Sequence, residues 1–234
     1  MDFAERSADV EIMDDLDCQG EVVDQTLREL DFINKWLGGN AVTLEALKRV
    51  LPDCGPTIRL ADLGCGSGDM LRRVSVLARA RGIKAELTGF DANPHIVAFA
   101  RNHSRGYPEI RFEPVNIFSD EFKQLTFDLV TATLFFHHFS NDQLIHFFRQ
   151  LRNQTRVAII VNDIHRHPLA YYSIKWLTTA LSKSSMVRFD APLSVRRAFT
   201  RAELEHIMAE AGITTYHLRW KWAFRWQLII RAGQ

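Results

Sequence analysis

The chain has 234 residues, 47% hydrophobic and 24% charged, with a net charge of +1. That length suits one domain with a large core, and the balanced charge excludes a strong field toward nucleic acid. No apolar run is long enough to span a bilayer, the acidic N-terminus lacks a signal-peptide core, and Cys18, Cys54 and Cys65 form no C-x-x-C, so a reducing cytoplasm is expected.

Residues 1 to about 19 carry Asp2, Glu5, Asp9, Glu11, Asp14, Asp15 and Asp17 and read as a frayed or loosely docked arm. From Glu21 to Leu37 the apolar positions fit one helix face, and Gly38-Gly39 ends it. A second helix over Val42 to Leu51 is stopped by Pro52. Ile58, Leu60, Ala61 and Leu63 read as a buried parallel strand that runs into Gly64-Cys65-Gly66-Ser67-Gly68. A helix follows from Asp69 to about Arg81. Such a turn gathers backbone N–H groups and the positive end of a helix dipole at one point. A dinucleotide pattern would need glycine where Asp69 stands. A pyrophosphate would meet that carboxylate, whereas a neutral or zwitterionic ligand tolerates it. Cys65 suits a tight bend better than a nucleophile's role. The next strand, Ala85 to Phe90, closes at Asp91. An acid at that tip lies beside the glycine turn and can accept hydrogen bonds from both ribose hydroxyls. Asn93, followed by Pro94, is the better N-cap for the helix that follows, which leaves Asp91 free.

A third strand runs from Ile110 to Val115 and ends in Asn116-Ile117. A fourth runs from Thr126 to Ala132 and leads through Leu134 to His137-His138. Ser140 caps a helix over Asp142 to Leu151. The fifth strand, Arg156 to Val161, is followed by the polar run Asn162 to Pro168, on the side of the sheet where ligands bind. Leu169 to Leu181 is helical, Ser182 to Ser185 breaks it, and a loop runs from Pro192 to Thr200. Thr200 and Glu203 form a capping box for the last helix, Arg201 to Ala211. Ile213 to Trp220 and Phe224 to Arg231 read as an antiparallel hairpin. Its tryptophans alternate with Arg219, Lys221 and Arg225, which fits a base-stacking surface; with net charge near zero, a sheet edge covered by helices is preferred.

The run Asp62-Leu63-Gly64-Cys65-Gly66-Ser67-Gly68, the acid at 91, Phe127-Asp128-Leu129-Val130 and the terminal hairpin agree in order and spacing. From about Ile58 to Ala232 the chain resembles the class I S-adenosylmethionine-dependent methyltransferases. The resemblance implies an α/β, Rossmann-like doubly wound seven-stranded sheet with a C-terminal antiparallel hairpin. It implies an N-terminal arm and helices (1–52) over the active site, a cofactor-binding domain (53–234) and a helical lid at about 164–199. The implied cofactor is S-adenosylmethionine, leaving as S-adenosylhomocysteine. It would be held by Asp62, Gly64, Cys65, Gly66, Gly68, Asp91, Ala92, Asn116, Ile117 and Leu134. The glycine turn would take its amino-acid end and Asp91 its ribose. Asn116, where the family more often has aspartate, would take the adenine amino group, and the N–H of Ile117 the ring. The His-His pair resembles a variant seen in small-molecule methyltransferases, among them quinone-biosynthesis enzymes. Expected is O-methylation of an aromatic or polyketide-like hydroxyl, or C-methylation of a quinone precursor. A monomer or homodimer is expected, with neither nucleic acid nor a membrane span.

Methyl transfer from a sulfonium is an in-line displacement, and positioning can supply roughly 7–11 kcal/mol of it. A phenol or enol must also lose a proton, a task that suits histidine near neutral pH. His137 is the first choice of base. His165 and Asp163 follow, as base or as orienter of the base. His138, Arg166, Tyr171 and Trp36 are expected at the substrate. Plainer readings stand beside these: one histidine of a pair is structural, Asp163 bonds backbone, Arg166 pairs with a lid carboxylate, and the aromatics pack. A divalent ion on His137, His138, Asp163, His165 and His167 is a weaker alternative, so no metal is expected. Two other classes remain open: an NAD(P) oxidoreductase, disfavoured by Asp69 and the hairpin, and a binding protein without catalysis.

Overall fold

Strand β1 (Thr57–Leu63) takes the middle of the sheet because it is apolar on both faces; from Ile58 onward only Arg59 escapes full burial. The computed structural model describes residues 2–232. Helices α1 (Glu21–Trp36) and α2 (Gly39–Val50) precede β1. Then come α3 (Asp69–Ala80), β2 (Lys84–Asp91), α4 (Pro94–His103), β3 (Ile110–Pro114), the single turn α5 (Asp120–Lys123), β4 (Phe127–Thr133) and α6 (Asn141–Gln154). The chain closes with β5 (Thr155–Ile164), α7 (Pro168–Leu181), α8 (Ser185–Arg197), α9 (Arg201–Glu210), β6 (Tyr216–Lys221) and β7 (Arg225–Arg231).

The seven strands lie in the order β3-β2-β1-β4-β5-β7-β6. Leu60 of β1 stands opposite Leu87 of β2 on one side and Leu129 of β4 on the other, all parallel. The hairpin joins antiparallel, with Ile160 of β5 opposite Ile229 of β7. Strand order reverses at β1/β4, so the carboxyl ends of these strands open the crevice where an α/β sheet binds ligands. Both faces are covered. Val50, Leu71, Val74 and Val97 fill one layer, and Phe147, Phe148, Leu151, Leu204 and Ile207 fill the other. Each such side chain contributes about 1.5–3 kcal/mol by leaving water. Asn93 accepts the N–H groups of His95 and Ile96 and Thr200 closes a capping box, as their spacing predicts; Ser140, expected as a cap, closes a capping box with Gln143 as well.

Four sequence expectations are corrected. The acidic arm is firmly docked. Arg6 donates to Asn141 Oδ1 (2.7 Å) and to the carbonyls of Arg197 (2.7 Å) and His137 (2.9 Å). Asp190 of α8 accepts the N–H groups of Ile12 (2.8 Å) and Met13 (3.1 Å). Asp14 bonds His138 and Arg197. These partners lie far along the chain, so local composition shows acids without their counter-charges. Secondly, Pro192 lies inside α8, not in a loop, because Met186, Val187, Leu193 and Val195 bury a continuous face. Thirdly, β5 runs on through Asn162, Asp163 and Ile164, where β7 supplies its pairing partners. Lastly, β6 pairs only with β7 among the described residues and leaves Trp220 half-exposed, so the hairpin edge is not covered by helices. No helix among the described residues is long and apolar enough to cross a membrane.

Candidate active site

A cavity of about 940 Å³ opens over the carboxyl ends of β1, β2, β4 and β5, between the arm, α1, α7 and α8. That volume is enough for a ligand of drug size. The glycine turn forms its floor. Gly64 has φ +62°, and a Cβ there would lie 2.1 Å from the Phe135 ring, so only glycine lets the β4 loop close onto the turn. Gly66 (φ +51°) is different: a Cβ there meets only Leu27, at 3.9 Å, in the space the cavity occupies.

Four carboxylates border this end: Asp31, Asp62, Asp69 and Asp91. Asp91 accepts the N–H of Asn93 on one oxygen (3.0 Å) and of Gly66 on the other (3.3 Å). Each oxygen keeps a further acceptor site. Burial raises its carboxyl above the ordinary range, against those two bonds. Asp62 is fully buried and is pushed up to about 7 by burial, opposed by a 2.7 Å bond from the Thr131 hydroxyl. Burial, then the charge of Asp69, raise Asp31 to about 6. Such a wall repels a pyrophosphate and attracts a cation. Asn116, Ile117, Ala92 and Leu134 border the cavity further along. The amide oxygen of Asn116 accepts the N–H of Phe118 at 2.9 Å, so it holds its own turn as well as facing the cavity.

His137 stands two residues beyond the Phe135 that touches Gly64. It is 2% exposed, and its Nδ1 lies 2.7 Å from Asp163 Oδ1. A carboxylate only accepts, so Nδ1 carries a hydrogen, and in the neutral ring the lone pair is then on Nε2. Asp163 also accepts the N–H groups of Phe136 (2.9 Å), His137 (3.2 Å) and Ile164 (2.8 Å). Burial acts to raise its carboxyl, but the charge of His137 and these bonds hold it below its ordinary value. Beyond Nε2, at 3.6 Å, lies Glu11 Oε1 of the arm, with no hydrogen-bond partner of its own. Burial pushes Glu11 up to about 7. Glu11, His137 and His138 bring ligand atoms within 4.8 Å of one another. Arg197 already places a cation 3.7 Å from Glu11 Oε1.

Residues 60–173 match the family described as a methyltransferase domain, and the chain's sheet has the Rossmann-like methyltransferase fold. The citrinin polyketide synthase of Monascus ruber is 30% identical over 133 residues, which are 56% of this chain. The match spans only 5% of that much larger protein. The structure of the citrinin polyketide synthase CMeT domain superposes with TM-score 0.56 and 19% identity, covering 75% of this chain and 46% of that one. Human N-acetylserotonin methyltransferase in complex with SAM gives 0.62 and 17%, covering 92% and 57%. A plantazolicin methyltransferase in complex with SAH gives 0.65 and 15%, covering 91% and 89%. The structural likenesses show a shared fold.

The fold brings to the cavity His137, with Asp163 bonded behind it, His138 and the residues expected to hold the cofactor, except that Gly68 turns from the cavity toward Phe112. Four expected site residues lie elsewhere. His165 does not border the cavity; it packs against Trp226 and accepts a hydrogen bond from Trp220 Nε1 (3.2 Å). Tyr171 is buried against Phe3 and Tyr172. Trp36 points into solvent, 71% exposed, against Phe32. Arg166 is a structural tie. It makes two bonds to Glu203 of α9 (2.7 and 2.8 Å) and donates to the carbonyls of Ala198, Phe3 and Ala4. The polar run after the fifth strand looked like a site, but within it Arg166 is taken up by α9 and the arm. Arg166→Ala should therefore cost about 3–5 kcal/mol of stability, by leaving Glu203 and three carbonyls without their donor. Denaturant titration measures the loss; cofactor affinity of the folded variant should not change. Sequence reasoning missed Glu11, Asp14, Asp31 and Arg225 as cavity residues, since nothing near them in the chain marks a site.

Proposed function

We propose that this methyltransferase acts on a hydroxyl of a small aromatic or polyketide-like acceptor, with His137 as the base and Asp163 as its orienting partner. The observation that carries the reading is the 2.7 Å Asp163–His137 pair beside the cavity, which leaves Nε2 as the nitrogen not engaged by Asp163. The donor set fits S-adenosylmethionine: Gly66 leaves room for it, Asp62 offers a buried carboxylate to its ammonium, and Asp91 offers two oxygens to its ribose. When bound, the cofactor supplies an electrophilic methyl on a positively charged sulfur. Nε2 of His137 would take the acceptor's proton, leaving the oxygen lone pair available to the methyl group that the cofactor would give up as it becomes S-adenosylhomocysteine. Asp163 steadies the resulting imidazolium. The docked arm keeps water from the base.

A second reading, C-methylation, is favoured by the likeness to a polyketide synthase CMeT domain. The same base would then remove a proton from an activated carbon. Transfer from cofactor labelled with ¹³C in its methyl separates the two, because a methoxy and a C-methyl product differ in carbon shift. Cofactor placement has its own test. Asp91→Ala should weaken S-adenosylhomocysteine by roughly 10–100-fold in calorimetry, the scale of a charge-assisted bond. Equal affinity would place the ribose elsewhere.

A further inference from the structure

Arg225 opens β7 and borders the cavity where α1, α7 and the β6–β7 turn meet. It is 4% exposed. Nη2 donates to Asn34 Oδ1 at 3.1 Å, and Nη1 has no partner. The other buried arginines are neutralised: Arg166 by Glu203 and Arg197 by Asp14. Among the described residues no carboxylate lies within ion-pair distance of Arg225. Asp163 acts on it from further off, but its oxygens are taken by His137 and three backbone N–H groups. Burial lowers this guanidinium to about 10. A buried cation without a counter-charge is strongly unfavourable. A planar carboxylate is the group that its two terminal nitrogens match. Ile33, Leu37, Ile174 and Leu177 line the same cavity, so an apolar body suits the ligand that brings the carboxylate.

We propose that Arg225 is a carboxylate-binding site in the wall of the cavity. The proposal rests on this cavity being the methyl-transfer site. Two bound molecules could bring the carboxylate: the cofactor, through its amino-acid end, or an acidic acceptor.

The test uses the full chain and two variants, Arg225→Met and Arg225→Lys. Calorimetry compares S-adenosylhomocysteine with methylthioadenosine, which lacks the amino-acid end, and then benzoate with benzamide in the presence of S-adenosylhomocysteine. Arg225→Met should raise the Tm of the ligand-free protein, because an uncompensated charge is gone. It should also weaken one carboxylate ligand by roughly 10–100-fold. Loss for S-adenosylhomocysteine with methylthioadenosine unchanged assigns the cofactor; loss for benzoate with benzamide unchanged assigns the acceptor. Arg225→Lys, which keeps the charge without the fork, should lose less. Should both carboxylates bind the methionine variant as well as wild type, or benzoate bind neither while S-adenosylhomocysteine is unaffected, the proposal is overturned. Failure of wild type to bind either nucleoside overturns the methyl-transfer reading itself, a result that Arg225 cannot produce.

Discussion

Alanine at position 137 should lower kcat by about 10²–10⁴-fold, the range for a lost general base. Affinity for S-adenosylhomocysteine should stay within a few-fold, because Asp62, Asp91 and the glycine turn are untouched. The geometry sets this expectation. Asp163 orients the imidazole through Nδ1, and three backbone N–H groups fix Asp163, so Nε2, which faces Glu11 Oε1 at 3.6 Å, is the ring nitrogen left to take a proton. Asp163→Asn should lose much of the same activity, since an amide nitrogen facing Nδ1 turns the ring to the wrong tautomer. His165→Ala is the control and should keep wild-type turnover, as that ring lies outside the cavity. Steady-state kinetics paired with calorimetry on the same preparations reads all three. Equal kcat for wild type and His137→Ala would remove the base assignment.

How much of this was legible in the sequence depended on the range of each interaction. Strand β1, the glycine turn, Asp91 and the Asn93 cap are set by neighbours within a few residues, and they stand where the residues place them. The His137–Asp163 pair was legible as a candidate base and a candidate orienter at two strand ends, with His165 equally open for the second role. The arm was misread because Glu11 and Asp14 meet His138, Ser194 and Arg197 only after the chain has folded over itself. Pro192 was misread because a local breaker was overridden by burial of the α8 face. Arg166 and Arg225 show the same limit from the other side. Both are arginines at strand ends, Arg166 in a polar run and Arg225 between Phe224 and Trp226, yet one is consumed by Glu203 and the other faces the cavity with a free N–H.

Asp62→Asn should move stability and affinity in opposite directions. In the folded protein burial pushes the Asp62 carboxyl up to about 7, against 3.8 in the unfolded chain. Between those values the unfolded state releases the proton while the folded state keeps it. Stability therefore falls as pH rises across that window, by a few kcal/mol, and is level outside it. Asparagine removes this term, and its amide oxygen can still accept from Thr131. The variant's Tm should exceed that of wild type by most above pH 7 and converge on it below about pH 4. The mutant difference isolates Asp62 from Glu11 and Asp31, which burial also raises. Ligand binding reverses the sign. A cationic ammonium beside Asp62 favours the carboxylate, so binding near pH 7 should release a proton, seen as a dependence of calorimetric heat on the buffer's ionisation enthalpy. Losing one partner of a buried charge pair costs roughly 2–5 kcal/mol, so affinity should drop by about 30- to several thousand-fold. A variant that is more stable and binds as tightly as wild type would mean that the ammonium is held by another of the four carboxylates, Asp31 or Asp69 being the nearest alternatives along the same wall.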